Sequence, residues 1–260
     1  MPSLVRYAGP ALLAAVAANM AFHADHADPP AIRVTWLGHA AFEVVSPGGT
    51  RLLIDPWLVE NPSAPAVYKD TTRWARPEAR PAAILVTHPH ADHGADVPLL
   101  ARVSGAKVVA TGDHIEAMGI PEWQYLSINI GGVQRVGDVE IHAVPAMHSS
   151  TPGRALGYVL RFADGRTLYH TGDTWVFGDM ALIERFFHPA VILIAAGGGR
   201  AGEDPEAAAF AVRTYFHPRA IVPMHYGALP APFATEAEVR AAFENDPRLH
   251  LLVPGQERSF

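Results

Sequence analysis

Residues Thr87-His88-Pro89-His90-Ala91-Asp92-His93 place three imidazoles and one carboxylate directly after the apolar run Ala83–Thr87. A short apolar run ended by a Pro-containing turn reads as a buried strand, so the cluster stands at a strand end. In an extended segment side chains repeat every second residue, which aims His88 and His90 the same way. A turn through Ala91 then presents Asp92 and His93 on a second side. Two adjacent donor pairs suit two metal ions better than one. Neutral imidazole and carboxylate oxygen favour zinc, with manganese or iron also compatible.

Four ligands do not complete two such sites, and further candidates stand at later strand ends. His148 follows the strand predicted at Val139–Val144, Asp173 in His170-Thr171-Gly172-Asp173 follows Thr167–Tyr169, and His225 in Pro223-Met224-His225-Tyr226-Gly227 follows Ala220–Val222. Taken singly, His148 also reads as a loop residue, Asp173 as a helix cap and His225 as a core histidine. Their common position, taken with the dense loop, points to one centre.

Outward from these points the pattern is regular. Ile32–Leu37, Phe42–Ser46 and Arg51–Ile54 read as strands, the last two joined across Pro47-Gly48-Gly49. Asn61–Pro81 is Pro-rich and too irregular for a strand or helix, a candidate functional loop. Helices are expected at Ala95–Val103, Gly112–Met118, Asp179–Phe187, Pro205–Phe216 and Glu236–Glu244. Further strands are expected at Lys107–Ala110, Gly157–Phe162, Val191–Ile194 and Leu249–Val253. A meander that gives way to alternating strands and helices fits one mixed α/β domain of two sheet layers with outer helices.

Composition removes several alternatives. The chain has 260 residues, 49% hydrophobic and 18% charged, enough for one sizeable core. Its 20 Lys and Arg stand against 26 Asp and Glu with no basic stripe, which disfavours nucleic acid as a partner. With no cysteine, disulfides, thiolate zinc sites, iron–sulfur clusters and a cysteine nucleophile are excluded.

The order His-x-His-x-Asp-His, then His148, then Asp173 in a Thr-Gly-Asp triplet, then His225 resembles the ligand series of the metallo-β-lactamase superfamily. Trp36-Leu37-Gly38-His39-Ala40, Leu53-Ile54-Asp55-Pro56 and Pro223-Met224-His225-Tyr226-Gly227 look like its branch of metal-dependent hydrolases related to ascorbate-6-phosphate lactonase. The resemblance spans about Ile32 to Phe260. It implies a four-layer αββα sandwich and a binuclear centre of two divalent ions, with His88, His90 and His148 at the first, Asp92, His93 and His225 at the second, and Asp173 bridging. It also implies a hydrolase that activates a bridging water against a small-molecule ester, lactone or phosphodiester, with Asp92 available to accept a proton. A lipid-type phosphodiesterase, favoured if Asn61–Pro81 forms an apolar entrance, and a metal-binding protein without turnover are the alternatives.

Other residues keep two readings each. Asp55 is a group that orients a ligand or a turn-forming Asp-Pro. His39 is a pocket residue or a turn histidine, His170 a support for the ligands or a core residue, and Tyr226 a substrate contact or a packing residue. Gly197-Gly198-Gly199-Arg200 lacks the Gly-Lys-Ser/Thr ending of a phosphate loop, and Arg200 is an anion contact or solvated. Trp57 and Trp74 flank the Pro-rich loop as candidate pocket walls. His114, His142, His188, His217 and His250 read as structural or surface residues.

The first residues differ from the rest. A charged start, Met1–Arg6, precedes the apolar run Ala8–Ala18, the small-x-small triplet Ala15-Val16-Ala17 and a polar stretch, Phe22–Pro30. That is the order of a secretory signal peptide, and the run is too short for a membrane span of about 20 residues. Residues 1–31 are therefore expected to be a leader and linker, and 32–260 the hydrolase domain. The mature chain would be exported or periplasmic; Pro10 favours the alternative, an Ala-rich helix on a cytoplasmic protein.

Overall fold

The strand β3 (Arg51–Ile54) shows how the layers stack. Leu52 and Ile54 point into one buried cluster and Leu53 into another, the two-residue alternation of a strand buried on both faces. The computed structural model describes residues 30–199, 202–227 and 233–260. The leader reading and Arg200 lie outside the described residues.

Before β3 come β1 (Arg33–Gly38) and β2 (Ala41–Val45); after it come α1 (Ala66–Lys69), β4 (Ala83–Leu85), α2 (Ala91–Gly94), α3 (Val97–Ser104), β5 (Lys107–Ala110), α4 (Gly112–Ala117) and β6 (Tyr125–Ser127). The second half holds β7 (Val133–Val136), β8 (Val139–Pro145), β9 (Leu156–Phe162), β10 (Thr167–His170), α5 (Met180–Phe187), β11 (Val191–Ala195), α6 (Pro205–Tyr215), β12 (Ala220–Met224), α7 (Glu236–Ala242) and β13 (Glu257–Ser259). One sheet runs β13-β1-β2-β3-β4-β5-β6, the other β12-β11-β10-β9-β8-β7. Their facing sides meet in a core that includes Val34, Phe42, Leu52, Ile141, Tyr158 and Leu168. Outside the first sheet, Leu53, Ile84 and Val108 bury Val97, Leu100 and Trp74; outside the second, Ala208, Val212 and Val239 of α6 and α7 complete the layers. This is the expected αββα sandwich in one α/β domain.

Two ties hold the edge on which the site is built. Tyr158 of β9 donates its hydroxyl to the carbonyls of Val86 (2.8 Å) and Val109 (3.1 Å), joining the sheets below the His88 loop. Asp96, at the start of α3, accepts the Leu58 and Val59 amides at 2.6 and 2.8 Å and clamps the chain that follows Asp55.

The structure corrects several expectations. Leu249–Val253 is not a strand; Leu249 makes a single bridge to Ile221 of β12, and the last strand is β13, beside β1 at the edge of the other sheet. β6 and β7 were not expected: β6 has no buried residue, and β7 buries only Val136. The Asn61–Pro81 segment holds α1 and a 3-10 turn over Thr71–Ala75, which buries Trp74 completely in the outer layer, so Trp74 is no pocket wall. The helix expected at Ala95–Val103 is α3, and a further short helix that was not expected, α2, turns through Asp92 and His93 before it. Among the described residues no helix is long and apolar enough to cross a membrane.

Candidate metal centre

Every ligand predicted from the sequence arrives at one edge of the sandwich. Thr87 and His88 leave β4, His148 follows β8, Asp173 follows β10, His225 follows β12, and α2 turns Asp92 and His93 back beneath His90. The glycines in these loops are steric requirements. A Cβ on Gly197 would lie 1.7 Å from the His225 carbonyl oxygen, and one on Gly172 (φ +63°) 2.3 Å from that of Leu156. Gly197 thus lets the chain pass against the His225 backbone, and Gly198 donates its N–H to Glu203 O at 2.8 Å.

Hydrogen bonds fix which ring nitrogen of His88 and of His93 faces the centre. Asp55 accepts the Thr87 amide (2.7 Å) and hydroxyl (2.6 Å), so the Thr87 oxygen is left to accept from His88 Nδ1 at 3.1 Å. His88 Nε2 then carries a lone pair, 2.9 Å from His90 Nδ1, which in turn lies 3.3 Å from His148 Nε2. Spacings of about 3.0–3.4 Å are those between ligands bonded at about 2.1 Å to one cation. Asp55 also accepts a hydrogen bond from His93 Nδ1 at 2.8 Å, which turns His93 Nε2 towards the centre. The Asp55 reading as a turn residue alone is therefore set aside: its carboxylate is fully buried and orients two of the ring systems.

Asp173 lies at the centre. Its Oδ2 is 3.1 Å from His225 Nε2, 3.4 Å from His93 Nε2 and 3.8 Å from His148 Nε2. His93 Nε2, His225 Nε2 and Asp173 Oδ1 are buried without a hydrogen-bond partner. Orphaned polar atoms cost about 1–3 kcal/mol each, so three on side chains that adjoin one another call for a ligand. Donor sets His88/His90/His148, His88/His93/Asp173 and His39/Asp92/His93/His225 are each compact enough to hold a cation. The residues fit the two-ion group that the resemblance implies.

The electrostatics agree. Burial opposes the Asp173 charge, but His225 and His93 beside it hold its carboxyl well below the usual range. Asp55 is likewise lowered, against burial, by His93. His93 sits between the two carboxylates, which overcome burial and raise it well above an ordinary histidine. Burial pushes His88 down to about 2 and lowers His148, keeping both neutral.

The outer candidates divide. His39, 5% exposed, points inward with Nε2 3.0 Å from Asp92 Oδ2. His170 touches no ligand side chain: its Nδ1 accepts the Gly172 amide and its Nε2 donates to Ala40 O, each at 3.1 Å, so it braces the Asp173 turn. Tyr226 stacks on Trp36 with centroids 5.3 Å apart, a packing role. Trp57 stands edge-on to His39, and Phe233, which the sequence did not single out, lies against both His39 and His225. Also missed was Glu203, fully buried, whose amide donates to Thr174 O at 3.0 Å. His114 is buried as expected of a structural residue and bonds Ser150 at 3.0 Å.

The description "Beta-lactamase superfamily domain" matches residues 33–225, the span that carries the whole ligand series. The chain belongs to the beta-lactamase superfamily. Within it, the chain is 39% identical over 254 residues to a UPF0173 metal-dependent hydrolase of Anaeromyxobacter dehalogenans, covering 90% of each chain. The corresponding hydrolase of Myxococcus xanthus is 44% identical over 208 residues, 76% of this chain and 71% of that one. Among solved structures, Igni18, a metallo hydrolase from Ignicoccus hospitalis, superposes with a TM-score of 0.76 at 28% identity, over 88% of this chain and 98% of that chain. The chain is thus a metal-dependent hydrolase of the superfamily.

Proposed function

We propose that this beta-lactamase-superfamily protein is a binuclear hydrolase that cleaves an ester, lactone or phosphodiester bond in a small molecule. The observation that carries the reading is that the adjoining His93, His225 and Asp173 each bury an unpartnered polar atom (Nε2, Nε2 and Oδ1) beside the His88/His90/His148 triad. His88 Nε2, His90 Nδ1 and His148 Nε2 would hold one divalent cation, zinc by the chemistry of the donors, with manganese or iron also suited; Asp92, His93 Nε2 and His225 Nε2 would hold a second. Asp173 serves both. Two such ions supply a water of lowered pKa and a Lewis-acid contact for the scissile oxygen.

The protein's own groups do the rest. His90 is exposed and Asp92 half-buried, so water and substrate enter on their side, whereas His88, His93, Asp173 and His225 close the floor. Asp92 faces that opening and takes the proton released as water adds to the substrate. Trp57 and Phe233 line the His39 side. The Asn61–Pro81 segment, which buries Trp74 in the outer layer, supplies no support for a lipid-type entrance.

The test is a panel of chromogenic acetate ester, aliphatic lactone and aryl phosphodiester, offered to the zinc- and manganese-loaded protein beside Asp173→Ala. Turnover of at least one substrate by the wild type, and a rate lower by on the order of a thousandfold in the variant, is expected. Equal rates in both would refute the assignment.

A further inference from the structure

The sequence resemblance gives the second ion three protein ligands besides Asp173 and none from the turn between β1 and β2. That turn brings His39 into the same donor set. Its Nε2 lies with Asp92, His93 Nε2 and His225 Nε2 in a group whose ligand atoms are all within 4.8 Å of one another. Ligands on opposite sides of a cation bonded at about 2.1 Å stand about 4.2 Å apart, and adjacent ones about 3 Å. The 3.0 Å from His39 Nε2 to Asp92 Oδ2 equals the adjacent spacing, and it is nearly the 2.9 Å of the His88–His90 pair.

The placement of His39 is built. Both His39 and His225 have left-handed backbones (φ +56° and +63°), a conformation that is uncommon outside glycine. The two are locked together: the His225 amide donates to His39 O at 3.0 Å, and Trp36 Nε1 donates to the same oxygen at 2.9 Å. Their rings consequently lie with centroids only 3.7 Å apart. Strained backbone held by several contacts is characteristic of functional positions.

We propose that His39 is a further ligand of the second ion. This rests on the binuclear reading. The second site then holds three histidines, His39, His93 and His225, with Asp92 and the shared Asp173, whereas the first holds three histidines with Asp173 alone. Five protein donors at one site and four at the other make the pair unequal. The first suits tetrahedral zinc; the second accommodates an ion of higher coordination such as manganese or iron.

The experiment is equilibrium dialysis of the chelator-stripped full chain against zinc, and separately cobalt(II) with its visible spectrum recorded. Wild type, His39→Asn and His148→Ala are compared. Asparagine tolerates the left-handed backbone, so His39→Asn removes the imidazole while keeping the turn. Circular dichroism of the stripped proteins checks that it does. The expected result is that His39→Asn keeps one equivalent at wild-type affinity. Its other equivalent is weakened by on the order of tenfold to a hundredfold, with an altered cobalt spectrum, and His148→Ala weakens the opposite equivalent. Two equivalents at wild-type affinity with an unchanged spectrum would overturn the proposal. So would loss of both, because His39 would then serve the fold rather than one site. A wild type that takes a single equivalent contradicts the binuclear reading instead; the His39 assignment then stands if His39→Asn weakens that equivalent and falls if only His148→Ala does.

Discussion

The two halves of the metal centre are built differently. The half formed by His88, His90 and His148 is open, with His90 exposed and the His148 side chain 12% accessible. Its three ring nitrogens face one another, and of the three rings only His88 is braced from behind, through Thr87. The half formed by His93 and His225 is buried and doubly supported. Asp55 fixes His93 from below, and the His39 turn fixes His225 through its amide. An ion in the braced half finds its donors already oriented, while one in the open half must gather them, so the braced half is expected to bind more tightly and exchange more slowly. Catalysis needs both: a rigid half to hold charge and an open half to admit substrate.

The most damaging way to break this contrast is to remove the group both halves share. Asp173→Ala is expected to lose both ions and to lower hydrolysis by on the order of a thousandfold, the scale of losing a central electrostatic group. Metal analysis and turnover of the same preparation check it. Retention of two ions would place Asp173 outside the centre.

A selective weakening comes next. Asp55→Asn keeps the residue compatible with its left-handed backbone (φ +45°) but no longer offers an anionic acceptor to His93. Affinity at the braced half, where Asp55 meets His93 directly, should fall about tenfold to a hundredfold, and more than at the open half, which Asp55 reaches only through Thr87 and His88. Competition with a chromogenic chelator reads the two steps separately; equal weakening of both would erase the distinction.

Acidity sharpens the same contrast. In the stripped protein His93 binds its proton more tightly than it does when unfolded, because Asp173 and Asp55 raise it. Its contribution to stability is therefore complete below about pH 6.5 and is lost as pH rises through the raised folded value. The loaded protein has the opposite sign, since an ion on His93 Nε2 competes with that proton and is favoured by higher pH. Thermal melts between pH 6 and 9 should thus fall for the stripped form and not for the loaded form. Parallel curves would contradict the placement of an ion at His93.

The smallest effect belongs to a histidine outside the centre. His114→Ala breaks the bond to Ser150 and should cost about 1–3 kcal/mol in urea melts, with metal content unchanged. Loss of an equivalent would make His114 part of the open half.

How much of this the sequence carried depends on range. His88, His90, Asp92 and His93 are legible because four donors crowd one strand end, and His148, Asp173 and His225 because each follows an apolar run. The central strands are legible for the same reason, being buried on both faces. β6, β7 and β13 are not: they lie at or beside sheet edges with polar, exposed residues and leave no alternation to read. The roles of Asp55 and His39 were left between two readings because their partners, His93 and His225, are distant in sequence and meet them only when the sheets pack. The Gly197–Gly199 run lacks the ending of a phosphate loop, and what constrains Gly197, the backbone of His225, is distant in sequence. Trp74 looked like a pocket wall because burial on the outer face of a sheet has no local signature.

The most direct test of the central claim is elemental analysis of metal per chain, comparing wild type with His88→Ala/His90→Ala after identical purification and reloading. Two divalent ions per wild-type chain, falling to one in the double variant as the open half empties and the braced half persists, is the predicted result. A wild-type chain that binds none, or a double variant that still binds two, would contradict it.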